Sequence, residues 1–235
     1  MAKRTTAPKR SSSKKKVAKK AKSLVNYGNK SLYYSSRNTP LKTSQKAVFR
    51  YSEFISMNPG ASGIAASNIF SANGLFDPNI TGVGHQPRGF DQLMSLYDHY
   101  VVTNCKVELF VTQNSSNQTS NVFCVFTDTA TSVFSNYNEL FEYPTSKVLQ
   151  LGQTTGGECP GYLTMNIEPP KFLGRKSPMS DPELKGNASS NPAEGAFIQI
   201  FAGPGDESSD TGNVYVRVLI TYEAQLIEPK LPNQS

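Results

Sequence analysis

Between residues 100 and 112 apolar and polar side chains alternate. Val101, Thr103, Cys105, Val107, Leu109 and Val111 fall on one face and Asn104, Lys106, Glu108 and Thr112 on the other, the period of two expected of a half-buried strand. The same period returns near the C-terminus, where Val214, Val216, Val218, Ile220 and Tyr222 alternate with Tyr215, Arg217, Thr221 and Glu223. Residues 121–127 are apolar on both faces, and further strands are expected over 47–57, 63–71, 147–151, 162–167 and 196–202. Gly, Pro, Asn and Ser clusters separate these runs. Eight strands with turn-rich joints predict an all-β jelly-roll sandwich and suit it better than a βαβ arrangement. Residues 89–99 carry the best helical pattern, with Phe90, Leu93, Met94 and Tyr97 on one face. A second short helix is expected over 138–143, and Pro169-Pro170 breaks regular pairing before Lys171. The stretch 178–192 has little to bury and is expected to be surface decoration or a subunit contact.

Charge divides the chain differently from hydropathy. Residues 1–50 hold 15 Lys and Arg and no Asp or Glu, whereas residues 51–235 hold the other 9 basic residues and all 18 acidic ones. The overall +6 therefore joins a cationic segment to an acidic body. Before Leu24 the segment has almost no large apolar side chain to offset about 1–2 kcal/mol of backbone entropy per residue. Residues 1–45 are expected to form a disordered basic arm, and residues 46–235 the β domain. In the arm, Lys3, Arg4, Lys9, Arg10, Lys14, Lys15, Lys16, Lys19, Lys20 and Lys22 are candidates for phosphate neutralisation, which gives affinity without base specificity. Lys14, Lys15, Lys16, Lys19 and Lys20 also suit a nuclear localisation signal read by host import machinery.

Candidate chemistry is sparse. The N-terminal region lacks the apolar core of a secretory signal, and no apolar run approaches the ~20 residues of a membrane span. Cys105, Cys124 and Cys159 are odd in number and widely spaced, which predicts buried thiols rather than a disulfide framework or zinc site. The stretch from Gly174 to Ser177 imitates the end of a P-loop, but Arg175 intrudes and Pro169-Pro170 stand where a glycine is needed. His85 and His99 lack metal-ligand spacing, and His99 is expected at the helix end, near the last carbonyls. No serine sits in a nucleophile elbow. Asp206, Glu207 and Asp210 form the densest acidic cluster: a solvated loop on one reading, a structural calcium site between subunits on the other. No catalytic residue is assigned, and no cofactor beyond that calcium.

The run from Gln86 to Val102 resembles a passage of the capsid proteins of circular, replication-initiator-encoding single-stranded DNA viruses, the CRESS-DNA viruses. Pro87, Gly89, Phe90, Asp91, Gln92, Tyr97, Tyr100 and Val102 match its pattern, which in that family forms a helix and the entry to the next strand. The arm is richer in Lys than in Arg, a departure from the circovirus pattern. The resemblance implies a single jelly-roll shell protein that associates with itself, in sixty copies, and packages single-stranded DNA through its arm. It also implies residence in the virion and, during assembly, in the host nucleus. The arm and architecture are shared with small RNA viruses, so DNA against RNA stays open. Tyr33, Tyr34 and Phe54 are expected to pack in the wall, with base stacking as the other reading. The alternative function is a chromatin- or ribosome-associated host protein with a basic tail.

Overall fold

The computed structural model describes residues 40–231 except 62, 83, 116, 133 and 155–159, and the side chains of 65–67 are also outside the description. The chain divides into Met1–Asn38 and Thr39–Ser235, of which the second carries the fold. The candidate arm residues Lys3 to Lys22, together with Tyr33, Tyr34 and Cys159, lie outside the described residues.

Eight strands run in the order β1 Ser44–Met57, β2 Ala65–Ser71, β3 Tyr97–Gln113, β4 Ser120–Thr127, β5 Ser146–Leu151, β6 Gly161–Ile167, β7 Phe197–Pro204 and β8 Val214–Pro229. They pair antiparallel into two four-stranded sheets, β1-β8-β3-β6 and β2-β7-β4-β5. Each sheet therefore mixes strands from both halves of the chain, as in the doubled Greek key of an eight-stranded jelly roll. Side chains from both sheets meet in one core, including Tyr51, Phe70, Cys105, Leu109, Val122, Ile198, Val218 and Tyr222. Two tyrosines of the first sheet also reach across to the second layer. Tyr222 donates to the Ser71 carbonyl at 2.7 Å, and the Tyr100 hydroxyl accepts from the Leu75 amide at 2.9 Å.

The pattern of β3 holds from Cys105 onward and fails before it. Thr103 is an extra residue: Val102 opposes Ala224 while Asn104 already opposes Glu223. This bulge inverts the phase of the strand. Tyr100 and Val102 enter the main core, and Val101 turns to the opposite side to pack with Leu184 and Ile227.

The predicted helix over 89–99 is also shorter than expected. Helix α1 spans only Phe90–Met94, because Tyr97 and His99 are claimed by β8, opposite Pro229 and Ile227. His99 consequently faces no helix end; its Nδ1 lies 2.7 Å from the Glu228 carboxylate. Helix α2, Tyr137–Glu142, is capped by the Asn136 side chain, which accepts from the Glu139 amide. Pro169–Phe172 forms a third short helix, α3, where an irregular break was expected.

The stretch 178–192 is sewn to the domain. Arg175 reaches Asp181 at 3.3 Å and Glu183 and Glu194 at 2.7 Å, and Leu184 is buried. Tyr100 exchanges two backbone hydrogen bonds with Gly186. A Cβ at Gly186 would lie 2.2 Å from the Tyr100 ring, so only glycine fits there.

Candidate assembly and nucleic-acid surfaces

The run from Gln86 to Tyr100 builds a strut rather than an exposed site. Gly89 stands at the helix start with φ 86°, a left-handed conformation that favours glycine. The Pro87 carbonyl accepts from the Phe90 amide at 3.1 Å. With its amide nitrogen turned toward the acid, Gln86 donates to Asp91 at 2.7 Å. Gln92 is exposed and borders a cleft together with Arg50, His85 and Arg88. The Phe90 ring is buried edge-on between Phe49 at 6.3 Å and Tyr100 at 5.6 Å. Tyr97 donates to the Lys42 carbonyl at 3.1 Å and so ties down the chain just before β1. Burial pushes the Tyr100 hydroxyl up to about 12. Pro87, Gly89, Phe90, Asp91, Tyr97 and Tyr100 are thus brought together, and they hold the first sheet to the start of its edge strand.

The acidic cluster is not brought into a metal site. Both Asp206 oxygens accept hydrogen bonds from their own turn: the Ser208 amide at 3.1 Å, the Ser209 amide at 2.9 Å and the Ser209 hydroxyl at 2.5 Å. These donors, the Ser209 hydroxyl foremost, hold its carboxyl well below the usual carboxylate range. Asp210 accepts from the Gly212 amide at 2.9 Å. Among the described residues no three His, Cys, Asp or Glu side chains are grouped to hold a metal ion. Within the chain, Asp206 and Asp210 thus belong to a self-closed acidic turn. Cys105 and Cys124 are free, buried thiols; burial pushes Cys105 far up and Cys124 up to about 12. No described helix is long and apolar enough to cross a membrane.

Two solvent-facing surfaces remain. On the second sheet, Val148 stands opposite Phe123, and the Phe141 ring meets Phe123 edge-on at 5.0 Å. Val148 is 42% and Phe141 53% exposed, so this apolar cluster continues outward past the helix that covers it.

On the first sheet, a single row crosses all four strands in register: Phe54 of β1, Arg217 of β8, Phe110 of β3 and Tyr162 of β6. Tyr215 stacks on Phe54 at 6.0 Å and 16°, and the Arg217 guanidinium lies 5.4 Å from the Phe54 ring centre. Glu108 is held by Tyr162 at 2.7 Å and Lys106 at 3.0 Å, which lowers its carboxyl and raises the phenol. Sequence reasoning singled out Phe54 alone. The missed signal was Phe110, an aromatic in an outward slot between Glu108 and Thr112.

No family model and no curated protein matches the chain. Several solved structures are similar to it. One, described as Desmodium yellow mottle tymovirus, is 14% identical with a TM-score of 0.41, the alignment covering 83% of this chain and 95% of that one. A mud crab tombus-like virus structure is 11% identical with a TM-score of 0.47, over 83% of this chain and 95% of that one. The BFDV capsid protein crystallised as a 60-mer is 10% identical with a TM-score of 0.43, over 83% of this chain and all of that one (100%).

Proposed function

We propose that the chain is a viral capsid protein whose jelly roll forms the shell wall and whose N-terminal segment holds the genome. The observation that carries this reading is the division of charge across one chain. Residues 1–43, ahead of β1, bring 13 cations and no acid, and residues 44–235, which carry the eight-stranded sandwich, have 18 acidic against 11 basic residues. A body of net negative charge leaves the cationic tail as the chain's main attractor of polyanion. The apolar cluster at Phe141 and Val148 supplies a surface for subunit contact of the kind that lets like-charged copies associate.

In this reading sixty copies close an icosahedral shell, and their arms carry on the order of 800 positive charges, enough for a small single-stranded genome. The Lys14 to Lys20 cluster doubles as the import signal that brings the protein to the nucleus, where single-stranded DNA is packaged. The role is structural, not catalytic. Purification at several salt concentrations followed by negative-stain microscopy tests it. Uniform hollow particles are expected, and deletion of residues 1–30 is expected to strip most co-purifying nucleic acid. Monomer at every salt concentration would overturn the capsid reading and leave the host protein with a basic tail.

A further inference from the structure

The row on the first sheet combines rings with cations in a way that subunit packing does not require. Phe54, Phe110 and Tyr162 are 54%, 47% and 50% exposed. With Tyr215, Arg217 and Pro160 they line a shallow depression of about 490 Å³. At ~4.8 Å between strands the row is about 14 Å long. Four residues back along β1, on the same face, stands Arg50, opposite Thr221, which in turn opposes Lys106. Arg50 also lines a second depression of about 890 Å³, shared with His85 and Arg88. Neither Arg50 nor Arg88 forms an ion pair with a carboxylate among the described residues.

We infer that this face is a binding site for single-stranded polynucleotide, with bases stacked on Phe54, Phe110, Tyr162 and Tyr215 and phosphates held by Arg50 and Arg88. The inference rests on the reading of the chain as a genome-packaging protein and gives the wall domain a share in that task. Three features favour this occupant. The first is charge. Residues 44–235 are net negative, yet the outward positions of this sheet carry Lys46, Arg50, Lys106 and Arg217 against Glu108 and Glu223, and Glu108 is already held by Tyr162 and Lys106.

The second is chemistry. Every base has a π face, so exposed rings interleaved with guanidinium groups bind a single strand without reading its sequence. The third is continuity. β1, which carries Arg50 and Phe54, is the strand that follows the Lys/Arg-rich segment in the chain and is an edge strand of this sheet. A second copy suits the face less well. Three half-exposed rings offer roughly 200–400 Å², against ~800 Å² per partner in a stable interface. A two-fold contact through the face would also bring the cations Arg50 and Arg217 near those of the second copy.

The test uses the full-length chain with oligo-dT and oligo-rU, each carrying one 5-iodouracil, ultraviolet crosslinking with peptide mapping, and affinity measured against salt. Crosslinks are expected at Phe54, Phe110, Tyr162 or Tyr215 with either oligomer. At about 0.5 M salt, where phosphate contacts have largely lost their counterion-release advantage, the triple variant F54A/F110A/Y162A is expected to bind about tenfold more weakly than the wild type. Should that variant fold poorly, R50Q/R88Q changes only exposed residues. It is expected to flatten the slope of log affinity against log salt by about 1.4.

Crosslinks confined to residues 1–39, with both variants binding as wild type, would overturn the inference and leave the arm's role standing. Loss of particle assembly with oligonucleotide binding unchanged would overturn it in favour of a subunit contact. An absence of oligonucleotide binding at low salt by the whole chain would instead overturn the packaging function itself.

Discussion

The two sheets of the sandwich bury one face in common and differ in the other. On β1-β8-β3-β6 the outward face is a lattice of Ser, Thr, charged residues and the exposed Phe54–Tyr162 row, covered only at the end where Val101 and Ile227 pack under Leu184. On β2-β7-β4-β5 the outward face is a second core: all eight residues of β4 are buried, and Phe123, Val125 and Phe201 pack beneath Tyr137 and Leu140. A bare sheet face remains open to a ligand. A covered one has been committed to stability, and only its rim, at Phe141 and Val148, is left for contact.

The largest test of that difference exchanges one ring on each outward face for alanine. Phe123 is fully buried, with Tyr137 and Phe141 edge-on to it at 6.0 and 5.0 Å, so Phe123→Ala is expected to cost about 3–5 kcal/mol. Phe54→Ala removes a ring that is more than half exposed, and a change within about 0.5–1 kcal/mol is expected. Denaturant unfolding of both variants at matched assembly state checks the pair. Equal losses would mean that the first sheet's outward face is also covered.

This contrast explains what the sequence made legible. Where one face is wet, alternation is a strong signal, and the run from Val214 to Glu223 lies in β8 with the inward and outward sets it predicts. Where both faces are dry, as at Val122 to Phe126, the pattern announces burial but not what does the burying. Nothing in residues 121–127 points to the helix at Tyr137–Glu142. Two other features were hidden because they depend on partners distant in sequence. The bulge at Thr103 exists only in register with β8, and the end of α1 at Met94 follows from the length of that strand. The aromatic row was half legible: each ring is visible in its own strand, but the register that aligns them is a property of the sheet.

A middle-sized effect is expected where the sheets are tied together. Tyr222 on β8 is fully buried and donates to the Ser71 carbonyl at the end of β2. Tyr222→Phe keeps the ring and leaves that acceptor without its donor, for an expected loss of about 1–3 kcal/mol. Comparing this with Phe54→Ala sharpens the contrast from inside. One hydroxyl between the sheets is expected to outweigh a whole phenyl ring on the open face.

The smallest effect lies at the rim of the first sheet and depends on pH. Glu228 accepts from Lys185 at 2.6 Å and lies 2.7 Å from His99, and these two partners, Lys185 first, lower its carboxyl below the ordinary glutamate value. A carboxylate lowered on folding contributes its stability above the unfolded value, near 4.3, and loses it as pH falls through the folded value. The side chain is 48% exposed, so solvent screening limits the contribution to about 0.5 kcal/mol. Glu228→Gln is therefore expected to lower the melting temperature slightly at pH 7 and to match the wild type once the acid is protonated in both states. A gap that widened on acidification would show that Glu228 acts through something other than its charge, and this end of β8 would then be held by packing, as the covered sheet is.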